Sequence, residues 1–504
     1  MKIRWRLALW PLCAAGLLIV LFVPRAIPPR PITGVVRDAT GPVAGARVRW
    51  QGETVMVLTD ADGRFRLPGS RSPAARVTAA KEGYVIAGVP AATRPLVITL
   101  ERVPDGDCER YAWVDPRPDP EQRHNCGNCH QEIFQQWSAS SHARSATGKH
   151  FLNLYAGTDW HGTPNRGWSL LAEHPDGAGV CTACHAPTVD FGDPAYFDLR
   201  HVRGVAAQGV HCDYCHKIAE ADTAKLGIQH GRFGLTLKRP EHGQLFFGPL
   251  DDVDRGEDAF SPLYHESRYC ASCHEGTVFG VPVYTTYSEW LDSPAGRAGV
   301  QCQDCHMTPT GQMTNIAPGR GGLERHPLTL SNHRFVVGSR EEMLRRCLHI
   351  TMTATRSGAA VRAAARVRAD GVGHRVPTGF IDRNLALVIE GLTMDNQSVL
   401  AIAGPRLPAA AGLEPPGLAG KLYAKRTTDF DGHSPAPFWR PPRDLVDTRL
   451  VPGQTDEIVV HFPTTIHQVR VRLFYRRFWP EVAHTKDWPD NEKLILEKMI
   501  VVHP

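Results

Sequence analysis

Five copies of one short motif, Cys-x-x-Cys-His, contain ten of the 13 cysteines in the chain. The copies are CGNCH (126–130), CTACH (181–185), CDYCH (212–216), CASCH (270–274) and CQDCH (302–306). This spacing is typical of covalent haem c attachment. Two thiols on one turn of chain can each add to a vinyl group on the same edge of a porphyrin, and the histidine that follows can bind the iron.

Zinc sites and disulfides are the alternative explanations for repeated cysteines. At this cysteine and histidine content, chance predicts about 0.02 copies of the motif. Five units that each end in histidine also do not require closed four-ligand zinc sets. We therefore predict five haem c groups, attached through Cys126, Cys129, Cys181, Cys184, Cys212, Cys215, Cys270, Cys273, Cys302 and Cys305 and bound at iron by His130, His185, His216, His274 and His306.

A haem that only carries electrons needs a sixth iron ligand, and a second histidine can fill that position. His142 follows a stretch in which Ile133, Phe134 and Trp137 share one helical face. After that helix the chain can turn toward another iron, so His142 is a candidate distal ligand; a surface or core histidine is the alternative. Further candidates are His230, His265 and His211.

The segment CGNCHQEIFQQWSASSHARS, residues 126–145, resembles the opening of the cytochrome c554/c′-type multihaem family. The other four motifs continue the order of that family, so the resemblance covers roughly residues 120–380. It implies that such histidines often ligate a different haem and that haems stack in close pairs, which together form an electron wire. His333 in SNHRFVVG and His374 in GHRVPTG resemble ligand segments of related cytochromes, which implies that each binds an iron.

The motifs alternate between long and short spacing, because their first cysteines stand at positions 126, 181, 212, 270 and 302. GVHCDYCHK (209–217) and GVQCQDCHM (299–307) also match each other, which indicates duplication of a two-haem unit. Five haems within residues 103–350 predict a mostly helical and loop domain in which the porphyrins form much of the core. Cys108 and Cys347 flank this region and could form a disulfide or remain separate thiols.

Two further domains are predicted on either side of the haem region. Residues 31–102 alternate apolar positions with Gly, Asp and Pro, which predicts short antiparallel strands. Their segments ITGVVRDATGPVAGARV and TDADGRF resemble the carboxypeptidase regulatory-like domain, which implies a small β-sandwich that acts as a spacer or interaction module. Residues 351–504 contain no haem motif and show alternating patterns that predict a second β-sandwich.

The first 26 residues predict a signal peptide or an uncleaved membrane anchor. Lys2, Arg4 and Arg6 precede an apolar run from Leu7 to Val23. We expect the body of the protein to be periplasmic or otherwise extracytoplasmic, anchored to the cytoplasmic membrane. The expected partners are redox proteins or a quinol-linked membrane complex; a formal charge of +5 without a long Lys/Arg run does not favour nucleic acid.

Three classes of function fit this sequence. The leading hypothesis is an electron-transferring pentahaem cytochrome in which no residue is catalytic. The alternative is an oxidoreductase that converts a small nitrogen or sulfur compound at a five-coordinate haem; nitrite reductase of related architecture normally has a C-x-x-C-K site, and no such motif occurs here. The third class is a haem-bearing sensor or adaptor that uses its two sandwiches to bind partners.

Overall fold

The computed structural model describes residues 30–69, 76–93, 95–177, 179–336, 340–412 and 417–503. The predicted signal or anchor, residues 1–26, lies outside these ranges. Within them, no helix is both long enough and apolar enough to cross a membrane.

The N-terminal region contains two small sheets that enclose one core. Its strands, β1–β7 in chain order, are Ile32–Arg37, Arg47–Trp50, Met56–Leu58, Arg64–Leu67, Arg76–Ala80, Ala87–Pro90 and Leu96–Thr99. One sheet has the order β4-β1-β7 and the other the order β3-β2-β5-β6. Alternate residues such as Val36, Val48 and Ile98 are buried between the sheets, so the predicted sandwich-like architecture is confirmed.

The haem region is built from short helices and loops, as predicted, and it also contains three short strand pairs that were not predicted. Its α-helices, α1–α10, are Gln131–Ser138, Lys149–Ala156, Leu170–Glu173, Gly179–His185, Cys212–Cys215, Arg268–His274, Thr286–Leu291, Pro294–Arg297, Cys302–His306 and Arg340–Cys347. Its 3₁₀ helices are Cys126–Asn128, His142–Arg144, Pro194–Tyr196, Leu199–His201, Gly204–Gln208, Gly231–Gly234, Pro262–His265 and Pro327–Thr329. Its strands, β8–β13, are Ile218–Ala221, Leu235–Leu237, Phe246–Gly248, Asp258–Phe260, Glu275–Val278 and Val281–Thr285.

The C-terminal region is dominated by two larger sheets. Its strands, β14–β22, are Leu348–Ser357, Ala360–Ala369, Asn384–Leu392, Ser398–Val399, Gly420–Thr428, Asp444–Asp447, Thr455–Pro463, Gln468–Arg476 and Glu492–Val501; its helices are the 3₁₀ turn Ala409–Ala411 and α11, Pro480–Thr485. The sheet orders are β14-β15-β20 and β19-β18-β16-β21-β22, with β17 on β16. The largest apolar core of the protein lies between these sheets and includes Val361, Leu387 and Val460.

The C-terminal region also packs directly against the haem region. Phe438 and Trp439 share a buried cluster with Tyr155 and Leu170. The fully buried Lys486 donates hydrogen bonds to the carbonyls of Asn153 (2.9 Å) and Trp168 (2.6 Å). These contacts fix the second sandwich on α2 and the loop before α3.

Of the two alternatives left open for Cys108 and Cys347, the structure has separate thiols. Cys347 Sγ instead lies 3.6 Å from the carbonyl of Leu344 at the end of α10.

Candidate haem-binding region

Each of the five motifs forms a helical turn that places its two thiols and its histidine on neighbouring positions. Four motifs lie within or at the end of α4, α5, α6 and α9, and the first forms the 3₁₀ turn Cys126–Asn128 that leads into α1. In α9, Gln301 and Asp304 form a reciprocal capping box at the first turn. The turns therefore have the local shape that attachment to one porphyrin edge requires.

Four motif histidines hold Nδ1 against a backbone carbonyl. The hydrogen bonds run from His130 to Ile316 (2.9 Å), from His185 to Ser145 (2.8 Å), from His216 to Phe247 (2.6 Å) and from His306 to Phe335 (3.2 Å). Because a carbonyl only accepts, Nδ1 carries the ring proton and Nε2 keeps a free lone pair. This is the tautomer and second-shell arrangement of a histidine that binds metal through Nε2, so the donor set fits haem iron.

Burial keeps these rings neutral. It lowers the pKa of His130, His185, His216 and His306, against the opposing effect of each carbonyl hydrogen bond. For His274, burial and then the neighbouring His142 lower the pKa to about 3. A neutral imidazole is the form that can donate to iron.

Two of the predicted distal histidines face motif histidines across a gap that matches one iron. The ring centroids of His142 and His274 are 6.2 Å apart, and those of His306 and His374 are also 6.2 Å apart. An imidazole nitrogen lies about 2 Å from a bound metal. Two such rings on opposite sides of one ion therefore have centroids separated by about 6 Å.

His333 is the third distal candidate, and it is half-buried. Burial, followed by the nearby His216, lowers its pKa to about 4, and His130 contributes in the same direction. Its backbone N–H donates to Gln136 Oε1 (2.8 Å), which ties it to α1 beside the first motif. The structure therefore brings His333 to the first and third motifs.

His230 and His265 have environments that differ from those of the other candidates. His230 is buried, but its Nε2 is bonded to the carbonyl of Thr277 (3.1 Å), and its Nδ1 faces the backbone of Gly276. His265 is exposed at the end of a 3₁₀ helix. Neither arrangement presents a free imidazole nitrogen to a buried iron, so their roles as ligands remain predictions without structural support.

His211, another candidate distal ligand, makes a hydrogen bond within its own helical turn, and its role as a ligand remains a prediction. Its Nδ1 accepts the backbone N–H of Tyr214 (3.4 Å) at the start of α5. Burial lowers its pKa to about 4, so the ring is neutral and carries its proton on Nε2. The residue acts as a helix cap next to Cys212.

His185 has an aromatic neighbour on its face. The ring of Phe151 stacks on it with centroids 3.9 Å apart and planes inclined by 14°. The second motif thus differs from the fourth and fifth, whose histidines face another histidine.

The cysteines of different motifs lie next to one another. Cys126 is close enough to Cys212 to raise the pKa of its thiol; Cys184 likewise raises the pKa of Cys273, and Cys302 that of Cys270. Burial, with a smaller contribution from the nearby Cys273, raises the pKa of Cys215 to about 12. The attachment points of all five motifs therefore form one connected group: first to third, third to fourth, and fourth to both second and fifth.

This connectivity only partly follows the sequence repeat. The short-spaced fourth and fifth motifs adjoin through Cys270 and Cys302, whereas the second motif contacts the fourth and the third contacts the first. Spacing along the chain does not specify which motifs adjoin through their cysteines, because long loops separate the motifs.

Sequence reasoning missed the backbone groups that orient the histidines, and Phe335 in particular. Its carbonyl accepts from His306, and its ring packs on His142 with centroids 4.3 Å apart. Its φ of 59° is in the left-handed region, which is rare for a bulky residue. The family-like segment SNHRF pointed to His333 but carried no signal for the role of Phe335.

Comparisons with known proteins agree with this description. Residues 31–101 match the family model of the carboxypeptidase regulatory-like domain. Residues 125–217 match the model described as cytochrome c554 and c-prime. Both predicted resemblances are confirmed over these residues, which for the cytochrome family is a shorter range than predicted.

A solved structure has a similar fold. The penta-heme cytochrome c552 from Thermochromatium tepidum aligns with a TM-score of 0.52 and 23% sequence identity, over 75% of this chain and 97% of that chain. A search of curated proteins found no match. Together with the motif, these findings support a multihaem c-type cytochrome.

Proposed function

We propose that the protein is an extracytoplasmic pentahaem c-type cytochrome that transfers electrons between redox partners. The observation that carries this proposal is the connected group of five attachment motifs. When bound, haem supplies a reversible one-electron iron couple. Close attachment edges give short steps between neighbouring haems, which electron transfer along a chain requires.

The residues of this chain hold and insulate the haems. The motif cysteines fix each ring covalently, and the carbonyl-bonded histidines present Nε2 to the iron. His142, His374 and His333 supply second ligands from half-buried positions. With haem bound, these histidines would provide each such iron with a second nitrogen ligand, which would limit rearrangement during electron transfer.

The proposed location and partners rest on the N-terminal sequence. Lys2, Arg4 and Arg6 before an apolar run support export and attachment to the cytoplasmic membrane. Redox proteins or a quinol-linked membrane complex would then exchange electrons with the haems.

One observation favours a second candidate, an oxidoreductase acting on a small nitrogen or sulfur compound. The face of His185 is covered by Phe151, and its ring is not paired with a histidine among the described residues. If a haem attached at the second motif lacked a second histidine, it would be five-coordinate and could bind a small ligand.

Low-temperature electron paramagnetic resonance (EPR) of the oxidised holoprotein, produced in a host that attaches haem c, separates the two candidates. Low-spin signals that integrate to five haems support the electron carrier. A high-spin ferric signal equal to one haem, lost when nitrite or hydroxylamine binds, would instead favour the oxidoreductase.

A further inference from the structure

The N-terminal β-sandwich is fastened to an acidic loop of the haem region. Arg47 and Arg49 form ion pairs with Asp251 at 2.5 and 2.8 Å, and Arg76 Nε donates to Asp254 at 2.9 Å. Asp251 is only 5% exposed in its side chain, so these pairs are shielded from water. The sandwich is therefore held in a fixed position on the haem region rather than tethered by a loose linker.

A main-chain contact reinforces this docking. The backbone N–H of Ile86 donates to the carbonyl of Asp258 (2.8 Å), and Val85 forms a β-bridge with Ala259. Asp258 also pairs with Arg255 (2.9 Å). Both Arg255 and Asp258 act electrostatically on His130, the first motif histidine.

The turn after β2 reaches a buried carboxylate that a haem-region arginine shares. The backbone N–H of Gly52 donates to Asp252 Oδ2 (2.7 Å), and Arg325 Nη1 donates to the same oxygen (2.8 Å). The side chains of Arg325 and Asp252 are 8% and 1% exposed. Gly52 has φ +82°, and a Cβ there would lie 3.6 Å from the carbonyl of Glu324, so the turn packs directly against the chain around Arg325.

Arg325 connects this junction to the first haem site. Its backbone N–H donates to the carbonyl of Thr314 (2.7 Å). Between these residues, Asn315 donates to the carbonyl of Gly322 (3.0 Å) and accepts from the N–H of Ala317 (2.9 Å). These bonds hold the segment 314–325 in one shape and present the carbonyl of Ile316 to Nδ1 of His130.

We propose that the N-terminal β-sandwich, through Asp252 and Arg325, positions the segment 314–325 and thereby sets the ligand strength of His130 at the first haem. Asp252 and Arg325 are positioning residues, because they act through the Ile316 carbonyl. The inference rests on the proposed function in that it assumes a haem at the first motif. It gives the sandwich a role in tuning one redox centre.

The direction of the effect follows from the hydrogen bond. A carbonyl that accepts from Nδ1–H makes the imidazole a stronger donor. A stronger donor stabilises ferric over ferrous iron and lowers the midpoint potential of that haem. Loosening the segment should therefore raise the potential of the first haem and leave the other four unchanged.

The test is an EPR-monitored redox titration of four holoprotein variants. Arg325→Gln breaks the junction from the haem side, and the double variant Arg47→Gln/Arg49→Gln weakens the docking from the sandwich side. Arg64→Gln is the matched control, because its ion pair with Asp62 is solvent-exposed on the same sandwich. Arg325→Lys keeps a positive charge and should restore part of the wild-type potential.

We expect both junction variants to raise the midpoint potential of one and the same haem, with altered g values for that haem alone. If the midpoint potential shifts in Arg325→Gln but not in the double variant, the sandwich does not influence the first haem. Unchanged potentials in both variants would overturn the whole inference. A wild-type holoprotein that lacks a haem at Cys126 and Cys129 would contradict the proposed function. Peptide mass spectrometry measures haem content independently of the potentials, so this failure can be distinguished from a failure of the inference.

Discussion

At the residue scale, the histidines are the residues whose environment decides the chemistry. The motif itself predicts a histidine at iron, but the tautomer follows from backbone carbonyls such as Ile316 and Ser145. These acceptors are distant in sequence and have no side-chain signature, so they could not be predicted. Similarly, the sequence offered both His142 and His265 as candidate ligands, but it did not show that His142 is half-buried and His265 exposed.

Replacement of His374 by alanine should leave the fifth haem attached but remove its second ligand. The ring of His374 faces that of His306 at 6.2 Å, so the variant should show one additional high-spin ferric haem by EPR. His265→Ala is the matched control and should retain the wild-type spectrum, because His265 is exposed. An identical low-spin spectrum for His374→Ala would show that another residue ligates this iron.

Asp382 should make stability depend on pH. Its Oδ1 accepts from Trp479 Nε1 (3.1 Å), while Oδ2 is buried without a partner among the described residues. Burial raises the pKa of Asp382 to about 7. The folded state therefore binds more protons than the unfolded state between the ordinary aspartate pKa, about 4, and pH 7, so stability falls as pH rises through that window.

Asp382→Asn removes this titration while keeping an oxygen that can accept from Trp479. Relative to wild type, the variant should gain about 2–3 kcal/mol of stability between pH 5 and pH 8, because part of the effect of this pKa shift falls below pH 5. Thermal unfolding at both pH values is the measurement. Equal changes in melting temperature at pH 5 and pH 8 would mean that Asp382 does not titrate in this range.

At the element scale, the loops between motifs determine where the iron-binding side chains lie. Motif spacing predicted the helical turns, and alternating patterns predicted strands such as β15, β20 and β21. The conformation of the loop before the third motif could not be predicted, because it depends on a close approach between chain segments. At Gly209 φ is +65°, and a Cβ at this position would lie 2.5 Å from the carbonyl of His142. The N–H of the next residue, Val210, donates a hydrogen bond to the same carbonyl (3.1 Å).

Gly209→Ala should displace the 3₁₀ turn that carries His142. We expect a loss of about 1–3 kcal/mol in stability from the strained conformation and the clash, together with a partial high-spin signal from the haem of His274. Gly204→Ala is a matched control, because Gly204 also has a positive φ (+61°) but no atom within 4 Å of the added Cβ. If both variants behave alike, backbone strain alone explains the loss and the His142 contact is unimportant.

At the scale of the whole molecule, apolar burial is distributed unevenly. The core between the C-terminal sheets contains 25 buried residues, such as Leu473 and Phe462. Two clusters around the first, third and fourth motifs contain four buried residues each. Around these three motifs, the contrast agrees with porphyrins that take the place of aliphatic side chains, whereas the second motif adjoins a cluster of 13 buried residues that is shared with the C-terminal region. The three-part architecture could be predicted from composition and pattern. The docking of the first sandwich through Asp251, Asp252 and Asp254 could not be predicted, because isolated acidic residues in a sequence do not indicate which partners they bind.

Protein made without haem attachment should therefore lose structure in its middle part only. Limited proteolysis should cut within residues 103–340 while fragments of the C-terminal sheets persist, because their core is independent of haem. Mass spectrometry of the fragments, with holoprotein as the control, measures this directly. Equal resistance of the apoprotein and the holoprotein would mean that side chains alone build the core of the central region.

The central claim is that this chain carries electrons without converting a substrate, and protein-film voltammetry of the holoprotein tests it most directly. The account predicts reversible non-turnover signals that integrate to five electrons per molecule and stay unchanged when nitrite, hydroxylamine or sulfite is added. A catalytic current with any of these compounds would contradict it and identify the protein as an oxidoreductase.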